Sequence, residues 1–434
     1  MDSEYKRRLS PSLSLATIAS LMNDNNSVSI EDENIQKINF NDHPDLVGIT
    51  VNVDTAKRAY EIASIYKKKG VKTILGGIHV SSNPQEALQY ADSVCVGEAE
   101  EMIKQIIEDA QRGRLQRQYF NPRPTDPQNI PLPNWSLINK SKYLYTNIIC
   151  SSRGCPFKCD FCYNSSNYIH HKYRNRPISN VINEIRQLKT KQVMFIDDNF
   201  IGNPQHAMEL IEKMKPLGLT WHAAVSTNIV HMPKLMDAMK ESGCKSLFIG
   251  FESINNQSIK SVNKIQNNID NYEKLIRELH SRDIMINASV VFGFDTDGAN
   301  VFKNTLNWLV KNKIETMTAH ILTPYPGTVL YERMVSENRI TDFNTNHYNT
   351  ANVVFQPKTM TDKELYKGYF WIYNQFYSFK NILKRLPDNK KQRTAYLLFN
   401  FGYRKFGKIT SLLGRIGLMN FIGKLGRKLA YNIE

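Results

Sequence analysis

The chain has 434 residues, a formal net charge of +15 and six cysteines. This length is sufficient for two or three domains, each with its own hydrophobic core. Six cysteines are too few for a disulfide framework in a chain of this size, and no apolar run reaches the ~18–20 residues of a membrane span. We therefore expect a protein of the reducing cytoplasm, soluble or peripheral to a membrane, without an amino-terminal signal peptide.

Residues 1–118 alternate between apolar runs and helical patterns, which predicts a parallel sheet with crossover helices. After an amphipathic stretch at 11–22, the apolar runs lie at 27–30, 46–51, 71–78 and 93–97, and a helical pattern covers 56–69. The predicted fold of this region is a doubly wound α/β domain. Ligands of such open sheets bind at the loops that follow the strands, and here those loops contain Gly76, Gly77, His79 and Gly97.

Residues 119–145 are rich in proline and polar residues and are predicted to be a linker. From 146 to 345 the pattern is six strands that alternate with amphipathic helices. The predicted strands lie at 146–152, 191–198, 220–227, 245–253, 284–294 and 316–326, and the predicted helices at 178–189, 204–215, 233–242, 256–281 and 299–312. This pattern predicts a parallel sheet curved into a partial (β/α)6 barrel, with its active site at the carboxyl ends of the strands.

Three cysteines follow the first barrel strand in a CxxxCxxC arrangement: Cys155, Cys159 and Cys162. Gly154 and Pro156 supply the turn that allows three thiolates within eight residues to face one point. A structural zinc ion requires four protein ligands, and no second pair of Cys or His lies nearby at short spacing. A [4Fe–4S] cluster held by three thiolates leaves one iron open for a substrate or cofactor. Both metals, and a strained disulfide, are compatible with the motif alone.

The CxxxC motif followed by an aromatic residue and a third cysteine resembles the signature of radical S-adenosylmethionine (SAM) enzymes. The segments CDFC, IDDNF, GFES, VFGFD and TPYPGTVLY, with GGIHVS and VGEAE upstream, resemble those of the radical SAM family that carries a cobalamin-binding domain. The similarity is strongest to the branch that contains hopanoid-lipid methylases. This resemblance implies a [4Fe–4S] cluster whose open iron binds SAM, and reductive cleavage of SAM to a 5′-deoxyadenosyl radical.

The resemblance also implies roles for four residues in binding SAM. Phe161 is expected at the adenine, and Asp198, after the second barrel strand, at the amino group of SAM. Ser226 and Glu252, after the third strand and in the fourth, are expected at the carboxylate and at the ribose hydroxyls. For each residue, loop packing or strand capping is the competing interpretation. No residue is assigned to hydrogen abstraction itself.

The resemblance implies cobalamin at Gly76, Gly77, His79 and Gly97, but the sequence departs from the family pattern in two ways. The DxHxxG motif is absent, so no histidine can be named as a lower cobalt ligand. The first strand of the cobalamin-binding fold, which lies centrally in that sheet, has no counterpart. An incomplete sheet that only supports the barrel is therefore the alternative, with His79 as a loop hydrogen-bonding residue.

We expect a cobalamin-dependent methyltransferase that acts on an unactivated carbon of a lipid or another secondary metabolite. A cobalamin-independent radical SAM enzyme that catalyses cyclisation or rearrangement is one alternative. An inactive, membrane-associated relative is the other. The active forms need an external electron donor such as flavodoxin or ferredoxin.

Residues 346–434 are predicted to be helical, with an aromatic-rich helix over 362–384 that packs across the barrel. From residue 381 onward, twelve Lys or Arg stand against only Asp388 and Glu434. Over 393–431 these basic residues alternate with apolar ones and with glycines that weaken a helix. We expect this tail to be ordered by an anionic membrane surface, and we do not expect nucleic acid as a partner.

Overall fold

The computed structural model describes residues 9–22, 25–166, 173–188, 190–405 and 417–431. The predicted tail segment therefore lies partly outside the described residues, at 406–416. Two parallel sheets dominate the architecture, one of four strands near the amino terminus and one of six strands in the centre of the chain. Both were predicted as parallel, because apolar runs alternate with helical patterns in each region.

The amino-terminal sheet has the order β1-β2-β3-β4, with all neighbouring strands parallel. Its strands are β1 (Leu46–Thr50), β2 (Lys72–Gly76), β3 (Ser93–Val96) and β4 (Gln118–Phe120). Its helices are α1 (Leu13–Ala19), α2 (Ala56–Lys68), α3 (Ile78–Ser82), α4 (Pro84–Ala87) and α5 (Ile103–Gln111). Apolar clusters cover both faces of the sheet: α2 packs on one face, and α1 and α5 pack on the other. These clusters give this sheet its own core.

Two details of this region differ from the prediction. Residues 27–30 do not form a strand, because they lie along a cavity next to the sheet and pair with no strand edge. The sheet extends past the boundary predicted at residue 118, because β4 pairs with β3 through Val94, Cys95 and Val96. Within the described residues β1 pairs with β2 alone, so β1 is an edge strand.

The central sheet has the order β12-β11-β10-β9-β8-β5, parallel throughout, which is the predicted six-unit partial barrel. Its strands are β5 (Ile148–Ile149), β8 (Gln192–Phe195), β9 (Thr220–Val225), β10 (Cys244–Glu252), β11 (Met285–Phe292) and β12 (Thr316–Ile321). Between β5 and β8, the short strands β6 (Ser152–Arg153) and β7 (Arg174–Asn175) form an antiparallel ribbon. The helices are α6 (Ile178–Gln187), α7 (Pro204–Met214), α8 (Pro233–Glu241), α9 (Asn256–Ser261), α10 (Tyr272–His280), α11 (Val301–Lys311) and α12 (Val329–Ser336).

The single helix predicted over 256–281 is two helices, α9 and α10, separated by ten residues. Asn263 has a φ of 53°, a left-handed conformation that ends α9. The Asn267 side chain donates hydrogen bonds to the carbonyl oxygens of Gly250 and Phe251, at 2.9 and 3.0 Å. The backbone cap and these side-chain hydrogen bonds end the helix in spite of the helical spacing of the apolar residues. The segment between α9 and α10 is therefore not helical, and it reaches the cysteine loop.

The aromatic helix α13 (Asp362–Phe376) covers the open edge of the barrel at β12. Thr361 and Glu364 form a capping box at its start. The Tyr373 hydroxyl bonds both the N–H and the C=O of Ala319, and the Tyr377 hydroxyl bonds those of Met317, at distances of 2.8–3.1 Å. Two tyrosine hydroxyls thus satisfy edge groups that a seventh strand would otherwise pair.

The carboxyl-terminal helices are α14 (Phe379–Lys384), α15 (Lys390–Lys405) and α16 (Met419–Tyr431). Arg385, fully buried after α14, donates to the carbonyls of Ile314 and Glu315 that precede β12. In α16, Arg427 donates to the Leu144 carbonyl at 2.7 Å, just ahead of β5. The tail therefore packs against the segments that lead into the barrel strands. In the part of the chain that the structure describes, no helix is long and apolar enough to cross a membrane.

We expect Tyr377→Phe to lower the free energy of unfolding by about 1–3 kcal/mol, because it leaves the buried N–H and C=O of Met317 without their partner. The measurement is the urea midpoint of the apoprotein, followed by tryptophan fluorescence. Tyr366→Phe is the control, since Tyr366 is 43% exposed on α13, the helix that Tyr377 directly follows. Equal midpoints for the two variants would contradict this role of the Tyr377 hydroxyl.

Candidate active site

The cysteine loop begins at a buried carboxylate. Asp197, at the end of β8, accepts hydrogen bonds from the Ser151 N–H at 3.1 Å, from the Ser151 hydroxyl at 2.7 Å and from the Ser152 hydroxyl. Burial raises the pKa of Asp197, and these hydrogen bonds oppose that rise by stabilising its ionised form. Asp197 therefore fixes where the loop leaves the barrel.

The loop turns at Gly154, whose φ is 79°, and closes with a hydrogen bond from the Cys162 N–H to the Cys159 carbonyl at 2.9 Å. Backbone N–H groups of Phe157 and Asn164 donate to the sulfurs of Cys155 and Cys162. Backbone N–H groups that donate to sulfur stabilise the thiolate form, which is the form that binds a metal. The loop therefore has the chemistry that the ligands of a cluster require.

None of the six cysteines, all of which lie in the described residues, forms a disulfide, so the disulfide alternative is not realised. Burial raises the pKa of the Cys155 thiol and raises that of Cys162 to about 12. Both thiols are neutral without a metal and release a proton when one binds. Among the described residues, no three Cys, His, Asp or Glu side chains converge on a position for a single ion. In a cluster each thiolate binds a different iron, so wider spacing is compatible with one.

The segment between α9 and α10 holds the cysteine loop from the other side. The Asp160 N–H donates to the Val262 carbonyl, and the Asn263 side chain donates to the Lys158 carbonyl, both at 3.0 Å. Gln266 extends its side chain to the sulfur of Cys159. Sequence patterns did not reveal this segment, because its residues are spaced as a helix would space them.

Glu252, expected at the SAM ribose, ends β10 in an unusual backbone conformation. A register shift between Gly250 and Glu252 marks a bulge, and the φ of Glu252 is 60°. Its carboxylate forms a buried ion pair with Lys264 at 2.8 Å and accepts a hydrogen bond from Ser289 at 3.0 Å. The Lys264 ammonium group also lies 5.7 Å from the Phe161 ring centroid. Glu252 and Phe161, which were both predicted to bind SAM, therefore contact the same lysine. Lys264 itself was not predicted.

Asp198 and Ser226 lie on the neighbouring strand ends. Asp198 is exposed and accepts hydrogen bonds from the Gly154 N–H and from the side chain of Asn164, within the cysteine loop. The Ser226 hydroxyl accepts from the Asn199 side chain at 3.0 Å and donates to Asn228 at 2.5 Å. Asp198 thus has an open carboxylate beside the loop, whereas Ser226 is part of a buried polar network.

A cavity of about 1360 Å³ lies against one face of the amino-terminal sheet, at the carboxyl ends of its strands. Gly76, Gly77 and Gly97 line it, as does Gly48 in β1. A Cβ added at Gly48 would have no neighbour nearer than 3.9 Å, so glycine leaves this part of the sheet face open. Gly77 has a φ of 105°, and a Cβ there would lie 2.8 Å from Val51 backbone atoms, so only glycine fits.

The structure separates His79 from these glycines. Its side chain is 1% exposed in α3 and does not line the cavity, and its Nε2 lies 3.7 Å from a carboxylate oxygen of Glu86. The prediction that His79 shares a ligand site with Gly76, Gly77 and Gly97 is therefore not supported by its position. The reason is that α3 begins directly after Gly77, and the helix directs the His79 side chain away from the cavity.

The cavity region and the cysteine loop meet at one interface. Arg153 and Arg174, on the ribbon that flanks the loop, form ion pairs with Glu98 at 3.3 and 2.6 Å. Burial alone would raise the pKa of Glu98, but the two guanidinium groups hold it below its usual range. Nearby, Tyr163 of the loop stacks on Tyr325 with 4.7 Å between ring centroids.

The chain matches three families. Residues 149–309 match the radical SAM superfamily, residues 15–107 match the B12 binding domain, and residues 328–400 match a domain of unknown function, DUF4070. The first two matches cover the barrel and the amino-terminal sheet, the two regions that supply the cysteine loop and the cavity.

Two relatives and one solved structure show the breadth of the similarity. Bacteriochlorophyllide d C-12(1)-methyltransferase of Chlorobaculum tepidum is 33% identical over 79% of this chain and 76% of its own length. Hopanoid C-2 methylase of Rhodopseudomonas palustris is 27% identical over 76% of this chain and 65% of its own. The cobalamin-dependent SAM radical enzyme OxsB with aqua-cobalamin bound has a TM-score of 0.69 at 16% identity, covering 94% of this chain and 70% of that one.

The chain belongs to the radical SAM family with a cobalamin-binding domain. It is an enzyme of this family, whose cofactors are a [4Fe–4S] cluster and SAM, with cobalamin supported by the B12 binding domain. When bound, the cluster and SAM supply a 5′-deoxyadenosyl radical. The protein's own residues position the cluster loop, shape the site and exclude water.

We expect Cys159→Ala to abolish cluster binding, because the remaining two thiolates leave a second iron without a protein ligand. Iron and sulfide content after anaerobic reconstitution measures the effect. Cys244→Ala is the matched control, since Cys244 is also buried but lies at the start of β10, away from the loop. Normal iron content in Cys159→Ala, or loss in Cys244→Ala, would contradict the assignment.

Proposed function

We propose that this enzyme is a cobalamin-dependent methyltransferase that acts on an unactivated carbon. The observation that carries the proposal is the contact between its two cofactor regions. Val53, in the loop after β1, packs with Tyr325 and Tyr348, while Tyr163 of the cysteine loop stacks on that same Tyr325. A methyl carrier bound at the carboxyl ends of the amino-terminal sheet would therefore face the place where the radical forms.

In this proposal Gly76, Gly77 and Gly97 hold cobalamin, and Gly48 leaves room for it beside β1. The volume of the cavity exceeds the ~300–1,000 Å³ of typical small-molecule pockets, as a ligand of cobalamin's size requires. Around the cysteine loop, Phe161, Asp198, Ser226 and Glu252 are proposed to bind SAM, and no further residue is assigned to hydrogen abstraction. Glu252 has the best support, because its strained backbone and buried lysine partner fix it in position.

Filling the cavity tests this function. We expect wild-type protein, reconstituted anaerobically with cobalamin, to retain corrinoid absorbance after gel filtration and to form 5′-deoxyadenosine from SAM. Gly48→Phe places a large ring in the cavity and should lose the corrinoid but keep its iron and SAM cleavage. Gly298→Phe, at an exposed glycine with nothing within 4 Å of an added Cβ, should behave as wild type.

Wild-type protein without corrinoid absorbance, but with SAM cleavage, would favour a cobalamin-independent cyclase or rearrangement enzyme. A colourless protein that never cleaves SAM would favour an inactive relative. Full corrinoid retention by Gly48→Phe would place cobalamin outside this cavity. Each of these three outcomes would contradict a different part of the proposal.

We further infer that the substrate is an apolar small molecule of a membrane, such as a lipid or another secondary metabolite. The support is the outer face of α16, where Phe421, Leu425 and Leu429 are 63, 46 and 55% exposed. Lys424 and Lys428 are exposed between them, so apolar and basic side chains share one stripe at helical spacing. The opposite face is anchored by Arg427, which is 8% exposed and stacks on Tyr145.

The charge around this helix is complementary to an anionic surface. Residues 389–433 contain ten Lys or Arg and no Asp or Glu. Basic residues near an anionic bilayer contribute about 1 kcal/mol each. We therefore propose that α16 rests on an anionic leaflet, peripherally on the inner face of the cytoplasmic membrane.

We expect the intact protein to co-sediment with vesicles that contain phosphatidylglycerol, and the triple variant Phe421→Ser, Leu425→Ser, Leu429→Ser to bind at least tenfold more weakly. Truncating the chain after Lys380 is a poorer test, because it also removes the buried Arg385 and its bonds to the barrel. Phe343→Ser is the control, since Phe343 is 70% exposed elsewhere on the surface. Equal binding by the triple variant and wild type would exclude α16 as the membrane contact.

The electron for SAM cleavage is proposed to come from an external donor such as flavodoxin or ferredoxin. Outside the loop, the remaining cysteines are Cys95, Cys150 and Cys244, which lie on or beside three different strands. They offer no second grouping of ligands for an electron-transfer cluster. This arrangement of cysteines supports a proposal in which a partner protein supplies the electron.

A further inference from the structure

Gln266 lies in the segment between α9 and α10 and contacts a cluster ligand directly. Its side-chain Nε2 donates a hydrogen bond to the sulfur of Cys159, with 3.4 Å between the two atoms. Its Oε1 is 3.9 Å from the same sulfur, a contact that requires a thiol proton. A thiolate bound to iron has no proton to donate, so in the loaded site only the N–H contact persists.

Hydrogen bonds to Gln266 and to its neighbour Asn267 hold the backbone of this segment in place. Thr227, after β9, donates to the Gln266 carbonyl and to the Asn267 side chain, both at 3.0 Å. Asn267 is 8% exposed and in turn donates to the Gly250 and Phe251 carbonyls at the end of β10. The backbone at Gln266 is thus held by residues at the ends of two barrel strands, and its side chain extends from there to the Cys159 sulfur.

Lys264, two residues earlier, supplies a fixed positive charge to the same region. Its ammonium group is largely buried and paired with Glu252 at 2.8 Å. The amide of Gln266, unlike Lys264, carries no charge of its own and donates its hydrogen bond directly to the Cys159 sulfur. Its effect on the sulfur can therefore be changed without leaving a buried charge unpaired.

We propose that Gln266 is a positioning residue that raises the reduction potential of the cluster through its hydrogen bond to the Cys159 sulfur. A reduced cluster carries one more negative charge, part of which lies on its sulfur ligands. An N–H donor stabilises that charge more than it stabilises the oxidised cluster. Gln266 therefore makes the cluster easier to reduce by a protein donor.

An anaerobic redox titration followed by electron paramagnetic resonance tests this role, with iron and sulfide measured in parallel. Gln266→Leu removes the donor at similar size and should lower the midpoint potential. Gln266→Glu replaces the donor with a carboxylate and should lower it further. Gln257→Leu, at an exposed glutamine on α9, should leave the potential unchanged.

The potentials should follow the order wild type, Gln266→Leu, Gln266→Glu. A Gln266→Leu variant with full iron content and the wild-type midpoint would overturn the proposal. Loss of iron from both Gln266 variants, with normal iron in Gln257→Leu, would also overturn it and assign Gln266 to cluster assembly instead. The inference rests on the cluster of the proposed function, but the titration needs neither substrate nor cobalamin, so methyl transfer and this role can fail separately.

Discussion

The buried carboxylate of Asp197 is the interaction on which the site depends. An isolated buried charge would be costly, and the Ser151 and Ser152 donors offset that cost only when the loop starts in one place. The segment after α9 then holds the other side of the loop through Val262 and Asn263. Three cysteines on an irregular loop are thereby given a fixed geometry before any metal binds.

The same loop connects the two domains. Its flanking ribbon carries Arg153 and Arg174, and the loop after β3 carries Glu98 and Glu100, which pair with these arginines. Because the pairs are largely buried, separating the domains would leave charges unpaired. These ion pairs, together with the packing of Tyr325, therefore keep the cavity on the amino-terminal sheet next to the cysteine loop.

The tail has a second role besides its exposed face. A six-stranded partial barrel leaves an open edge at β12 and exposed segments ahead of its strands. Tyr373 and Tyr377 bond the edge, Arg385 caps the carbonyls before β12, and Arg427 caps the one before β5. Basic and aromatic residues of the carboxyl-terminal region thus complete the barrel, while the stripe of Phe421, Leu425 and Leu429 on α16 stays exposed.

Sequence by itself determined the two parallel sheets and the succession of the six barrel strands, and it predicted the three cysteines as cluster ligands, because strand periodicity and ligand spacing are local properties. Only the tertiary structure decided the surroundings of that loop. Lys264 and Gln266 lie more than one hundred residues from Cys159, in a stretch whose periodicity predicts helix, and His79 follows a glycine pair yet turns away from it. Hydrogen bonds between distant segments overrode local pattern at each of these positions, and sequence spacing cannot report bonds of that kind.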